Sequence, residues 1–451
     1  MTTLWFESAL LPAGWADRVR VTVDAGGLVS GVEAGVDPQP ADVRHACAVP
    51  GLANLHSHAF QRAMAGLTET RGPSSDNFWT WREWMYRFLD RLTPDDVRII
   101  AAQAYAEMLE SGFTRVGEFH YLHHAPDGSA YGAPAEMAAA IAAAAEETGA
   151  ALTLLPVFYA HATFGGAPPL PGQRRFICDV DGFANLMDAS AAIAGRLPDG
   201  RIGVAPHSLR AVTPDELTAV AAMTAGPVHM HAAEQVKEVD DCVAWSGRRP
   251  VEWLLDRGLD ARWCLIHATH LTAEETTGLA RSGAVAGLCP ITEANLGDGV
   301  FPAADYLTSG GAFGVGTDSN VVIDAAEELR ALEYAQRLTQ RARNVLADRE
   351  GASTGAVLFR GALAGGAQAL ADPAAAIAAG RPADLVALDL DHPSLVGRRG
   401  DALLDAWIFG AGARSVEAVW RRGRQVVASG RHVRSAEIAT AYREVLRKLL
   451  A

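Results

Sequence analysis

Between residues 49 and 319 short apolar, β-branched runs alternate with stretches of helical pattern, and that alternation leaves few folds open. A strand followed by a crossover long enough to hold a helix returns the chain in the same direction, so the strands pair in parallel. The runs are "VPGLANLHSH", "FTRVGEFHY", "ALTLLPVFYA", "RIGVAPH", "PVHMHAAE", "WCLIHAT", "AVAGLCP" and "GAFGVGTDS". Eight such units predict an α/β fold, a (β/α)8 TIM barrel.

The helix boundaries agree with that count. "TPDD" at 93–96, "TPDE" at 213–216 and "TAEE" at 272–275 each place an N-cap Thr ahead of early acids, twice with Pro at the first helical position. "SG" at 111 and 282 reads as a helix stop, and the Ala-rich "EMAAAIAAAAEETGA" as a strong helix former ending at Gly149.

The two ends of the chain carry a different rhythm. Residues 1–48 and 375–435 hold short alternating runs such as "RVRVTVDAGGLVSGVEAG" and "VEAVWRRGRQVVASG", cut by Gly, Pro and Asp turns. They are expected to pair into one discontinuous small β-sandwich domain beside a barrel of residues 49–374, with residues 436–451 as a C-terminal helix. The segment after the first barrel strand, "QRAMAGLTETRGPSSDNFWTWREWMYRFLDRL", carries three tryptophans and would lie over the C-terminal face, as a lid or as an interface.

Composition narrows the function. A formal net charge of −14, with no cluster of Lys and Arg among aromatics, argues against a nucleic-acid partner. The five cysteines are scattered and never in a C-x-x-C pair, which speaks against a disulfide framework or a Cys-built zinc site and for a reducing cytoplasm. No apolar run reaches the ~18 residues of a membrane span, and the first residues lack a signal-peptide pattern, so no membrane partner is expected.

Side chains alternate along a strand, so His56 and His58 of "NLHSHAF" point to one side. Alone that pair is weak evidence for a metal. The later strand ends decide: strand five offers His229, His231 and Glu234, strand six His267 and His270, and strand eight Asp318. Imidazoles and carboxylates thus gather at the strand ends where barrel enzymes keep their chemistry. Such a nitrogen and oxygen donor set suits zinc, with iron or another divalent transition ion as the alternative.

The set "H-x-H", "H-A-A-E", "H-A" and "T-D-S" at strands one, five, six and eight resembles the amidohydrolase superfamily in its single-metal deaminase branch. "VAPHSLR" at strand four has no lysine, unlike the two-metal members that bridge their ions with a modified Lys. Within the branch, "PGLANLHSHAFQRAMAG", "GEFHYLHH", "APHSLRAV", "HMHAAEQ" and "CPITEANLGDG" resemble the N-formimidoyl-L-glutamate deiminases of histidine degradation.

That resemblance implies a set of roles. One divalent ion per subunit, zinc or else iron, would be held by His56, His58, His231 and Asp318, leaving His229 as a core residue. Glu234 would shuttle a proton from water to the leaving nitrogen, Asp318 would accept the first proton, and His267 would bond the water or the tetrahedral centre. The implied substrate is a small molecule with a formamidine and two carboxylates. Arg210, Arg82, Gln61, Tyr121 and His207 would bind it, the arginines because a guanidinium grips a carboxylate in a bidentate way. The resemblance also implies a homodimer. His270 reads as a satisfied loop or core residue, and His120, His123 and His124 as a solvated loop. The alternative in the same branch is a deaminase of a nucleobase, purine derivative or triazine, flat neutral rings that need no pair of arginines. A metal-holding scaffold without turnover has no need of Glu234 and His267 beside the ligands.

Overall fold

Four strands open the chain: β1 (Thr2–Leu11), β2 (Gly14–Val23), β3 (Val29–Glu33) and β4 (Val43–Pro50). The computed structural model describes residues 2–72, 76–372 and 376–451, so the boundary expected between 374 and 375 lies outside the described residues. The barrel strands follow: β5 (Leu52–Ser57), β6 (Phe113–His120), β7 (Ala151–Phe158), β8 (Arg201–Ile202), β9 (Ala205–Pro206), β10 (Val228–Ala232), β11 (Trp263–His267), β12 (Val285–Leu288) and β13 (Ala312–Val315). β14 (Leu385–Leu388), β15 (Val416–Arg421), β16 (Arg424–Ala428) and β17 (Arg431–His432) complete the set.

The terminal strands expected to form the small β-sandwich join in one hydrogen-bonded path, β17-β16-β15-β14-β4-β1-β2-β3. The β1–β4 pair is parallel and β4–β14 antiparallel, so the two chain ends meet in the middle of the sheet. Alternation gives this sheet two jobs. Ala48 faces a cluster with Leu4, Phe6, Val21 and Leu385, whereas its neighbours Cys47 and Val49 belong to the main barrel core. Ions reinforce the seam: Arg421 of β15 is buried against Asp384 and, at 2.5 Å, Asp199, which precedes β8. Arg115 of β6 joins from within the barrel, 3.0 Å from Asp372.

The barrel strands run parallel in the order β10-β11-β12-β13-β5-β6-β7-β8, with β9 also on β7. The fourth strand breaks at Gly203 into β8 and β9, and its far side closes the ring: the His229 and His231 amides each donate at 3.0 Å, to the Val204 and His207 carbonyls. β5, β6 and β7 are buried along their whole length, which is why they read as continuous apolar runs.

Helix punctuation matches the expectation. Thr93, Thr213 and Thr272 each close a capping box with the acid three residues on. The Ala-rich helix Glu136–Thr148 stops at Gly149, which has φ +83°. The C-terminal helix Ser435–Leu450 lies along the helix Pro94–Ser111, with Lys448 2.9 Å from Asp96 and the Tyr442 hydroxyl donating to the Arg62 carbonyl at 3.1 Å. No helix among the described residues is long and apolar enough to cross a membrane.

Candidate metal centre and active site

β5 delivers His56 and His58 to the C-terminal mouth of the barrel, and both are buried. Asp318 arrives after β13 on a turn with φ +45°, a conformation a β-carbon disfavours. A polar lattice holds that turn against β5. Asn54 bonds the Thr317 hydroxyl at 2.6 Å and the Thr317 amide at 3.1 Å, while the Asn320 amide group donates to the His58 and Asp318 carbonyls. Gly316 lets the two segments touch, since a β-carbon there would stand 2.7 Å from the His56 backbone nitrogen.

Opposite them β10 presents His231. One donor atom from each of His56, His58, His231 and Asp318 lies within 4.8 Å of the others. His58 Nδ1 is 2.9 Å from the Phe119 carbonyl and His231 Nδ1 3.1 Å from the His207 carbonyl. A carbonyl can only accept, so each Nδ1 carries the proton and each Nε2 turns a lone pair inward. Burial keeps these rings neutral, pushing His56 down to about 3 and His58 and His231 below their ordinary value. Burial opposes ionisation of Asp318 too, yet His56 and the imidazoles of His58 and His267 around it hold its carboxyl well below the usual carboxylate range.

The donor set fits a cation. His58 Nε2 lies 3.3 Å and His56 Nε2 3.4 Å from Asp318 Oδ1, and His231 Nε2 is 3.1 Å from His56 Nε2. An inward lone pair facing an anionic oxygen repels unless positive charge lies between them, and three nitrogens with one oxygen are the donors a zinc-like ion takes.

Three further polar groups surround this centre. Glu234 follows β10 on a tight turn in which Ala233 has φ +53°, and the Glu238 carboxylate accepts from the Ala233 and Glu234 amides at 3.3 and 3.1 Å. Burial raises the Glu234 carboxyl, against the pull of His267 and Arg210. His267 Nε2 is 3.8 Å from Glu234 Oε1 and 3.8 Å from Asp318 Oδ2. Burial disfavours a charged His267, but Glu234, Glu293 and Asp318 outweigh it and push the imidazole up. Such an acid beside such an imidazole can pass protons at a carbon held between them.

A cavity opens from this centre toward the tryptophan-rich segment. Its helix, Phe78–Leu89, sends Phe78, Trp81, Arg82, Met85 and Tyr86 into the wall; residues 73–75 of the segment lie outside the described residues. Arg82 stacks over Trp79 at 4.7 Å and Arg210 over the same ring at 5.6 Å, so one indole braces both guanidiniums. Arg210 is buried, 3.6 Å from Glu234. Gln61 donates to the Tyr121 hydroxyl at 3.0 Å and leaves its buried carbonyl oxygen without a partner. His207 bonds the Ser208 hydroxyl at 3.0 Å. All five residues expected at the substrate line this cavity.

The remaining histidines divide. His229 is buried and bonds the Ala369 carbonyl at 2.7 Å, and His270 lies outside both clusters of possible metal ligands among the described residues. The expectation of a solvated loop at His120, His123 and His124 is corrected: His120 ends β6 and, like His123, is buried, and His124 is half-buried. The Arg175 carbonyl accepts from the His123 and His124 amides, so the segment 173–177 covers the loop, and each ring finds a carbonyl except His120. Sequence reasoning also missed Asn54, Glu238 and Glu293, whose work depends on partners far off in the chain or on the next turn of helix. Glu238 stands four residues after Glu234, at the start of the helix Val236–Ser246, and that spacing is the signal that could have found it.

A family model described as the amidohydrolase family matches residues 47–426, and one described as the formimidoylglutamate deiminase HutF N-terminal domain matches residues 1–46. The formimidoylglutamate deiminase of Pseudomonas aeruginosa is 50% identical over 458 residues, covering 100% of both chains. A solved amidohydrolase from Brucella melitensis is 53% identical, with a TM-score of 0.96 over 100% of each chain. A zinc-bound adenosine deaminase from Xanthomonas campestris, at 22% identity, shares the fold with a TM-score of 0.80 over 100% of this chain and 98% of that one. Strands, centre and family model agree over the barrel and the sheet beside it, and the chain belongs to the amidohydrolase family.

Proposed function

We propose that this protein hydrolyses N-formimidoyl-L-glutamate to N-formyl-L-glutamate and ammonia, a step of histidine degradation. The observation that carries the reading is the pair of guanidiniums, Arg82 and Arg210, in one cavity with the His and Asp centre. A dianionic tail calls for such a pair, and flat neutral rings do not. The full-length likeness to a formimidoylglutamate deiminase supports the same substrate.

His56, His58, His231 and Asp318 would hold one zinc ion per subunit. When bound, the ion would supply Lewis acidity and bring the pKa of water to about 7. Arg82 and Arg210 grip the substrate carboxylates, and Gln61, Tyr121 and His207 orient that end, which leaves the formimidoyl carbon beside Glu234 and His267. Asp318 takes the first proton of the attacking water, and Glu234 carries a proton to the substrate nitrogen that leaves as ammonia. His267 hydrogen-bonds the oxygen developing on the tetrahedral carbon. The aromatic wall keeps bulk water from the amidine. Atoms balance as formimidoyl plus water giving formyl plus ammonia.

The reading takes in a homodimer working in the cytoplasm, which suits five unpaired cysteine thiols. Its test is ammonia release by zinc-loaded protein offered N-formimidoyl-L-glutamate, its aspartate analogue, guanine and cytosine. Release from the glutamate compound above the others is the expected result. None from it, with zinc bound, would end the proposal.

A further inference from the structure

We propose that Glu293 is a positioning residue for His267, its carboxylate taking the Nδ1–H of the imidazole and so aiming Nε2 at the reacting carbon. The proposal rests on the reading of this cavity as a hydrolytic site. His267 ends β11 with φ +67° and Ala268 follows with φ +48°, so the ring is delivered by a turn the backbone does not favour. On its inner side Nε2 has no hydrogen-bond partner, and it stands 3.8 Å from an oxygen of Glu234 and of Asp318 alike. On that side the ring meets the His231 and His56 rings, at centroid distances of 5.5 and 6.3 Å, and neither contact distinguishes a ring nitrogen from a ring carbon.

On the other side Glu293 Oε1 is 3.3 Å from Nδ1. The same oxygen accepts the Cys289 amide at 2.8 Å, which fixes the carboxylate to the backbone that leaves β12. Both side chains are buried, so no water replaces the contact cheaply. A flipped ring would turn a carbon toward Glu293 and lose the bond. An acceptor at one nitrogen thus decides the direction of the other nitrogen. The "ITEANLG" stretch after β12 thereby reaches the chemistry through His267, without lining the substrate cavity at Glu293 itself.

Two variants separate position from charge. Glu293→Gln keeps an acceptor oxygen at the same reach and gives up the charge; Glu293→Asp keeps the charge and withdraws the oxygen by one methylene. With zinc content unchanged, Glu293→Asp is expected to lower kcat by roughly 100-fold and Glu293→Gln by less than about fivefold, KM moving by less than about twofold in either. The reverse order, equal losses, or no loss in either variant would overturn the proposal. A second readout needs no substrate: the exchange-protected Nδ1–H proton of His267 in NMR of 15N-histidine-labelled protein. It is expected in the parent and in Glu293→Gln, and lost in Glu293→Asp. A parent that shows this pattern but releases no ammonia sinks the functional reading and leaves the positioning intact. An active parent whose signal ignores Glu293→Asp overturns the positioning.

Discussion

His231 Nε2 lies 3.1 Å from His56 Nε2, although the two residues come from strands on opposite sides of the barrel mouth. Burial keeps both rings neutral, so the centre offers nitrogen donors ready for a cation without first shedding protons. Chelation at pH 7 is therefore expected to abolish ammonia release, and zinc to restore it. His56→Ala should lose most of the bound zinc by elemental analysis. At free zinc about 1,000 times its dissociation constant the ion adds about 4 kcal/mol of stability, read as a rise in Tm. A parent protein equally active and equally stable with and without chelator would contradict this.

Glu234 is held by Glu238 through backbone amides and is not one of the four clustered donors, so its replacement should spare the ligands. Glu234→Gln is expected to cost on the order of 100- to 10,000-fold in kcat, the range of a lost general acid–base, with zinc content near that of the parent. Activity near the parental level would remove Glu234 from the proton path.

Arg210 is buried and Arg82 half-buried, yet one tryptophan braces both. A charged hydrogen bond contributes about 1.5–3 kcal/mol, so Arg82→Ala should lower kcat/KM by roughly 10- to 100-fold, mostly through KM. Arg210→Ala should cost more, because it also strips a buried counter-charge from Glu234 and Glu238. Arg82→Lys should not restore the parental KM, since an ammonium cannot form the bidentate fork. Unchanged KM in both alanine variants would favour a neutral ring substrate.

Acid should unfasten the sheet from the barrel. Burial alone would raise the Asp199 carboxyl, but Arg421 and Arg115 hold it below its ordinary value. A carboxylate whose folded pKa is depressed contributes stability above its unfolded pKa, and loses it as pH falls through the folded value. Asp199→Asn is expected to destabilise the protein by about 3 kcal/mol at pH 7, as for a broken buried ion pair. The gap from the parent should close below about pH 4. Thermal unfolding between pH 3 and 7 checks it, and a gap independent of pH would refute the linkage.

Parts of the fold and centre are local matters, and these were legible. A Thr with an acid three residues on closes a capping box wherever it stands, and Thr93, Thr213 and Thr272 all do. Histidines two apart at a strand end face one way, and His56 of β5 and His58 just beyond it do so. The turn of His120, His123 and His124 was misread, because polarity along the chain says nothing about the segment 173–177 that folds over it. Asn54 gives no local signal for a like reason: its partner Thr317 stands more than 260 residues away.

By itself the sequence determined the parallel (β/α)8 order, the helix ends and the kinds of donor at the strand ends, since periodicity and capping act over a few residues. Tertiary structure alone decided which donors share one centre, which ring nitrogens turn inward, and that Arg82 meets Arg210 across one indole. Those relations join atoms from different strands, and closure of the ring sets their separation at the scale of a hydrogen bond.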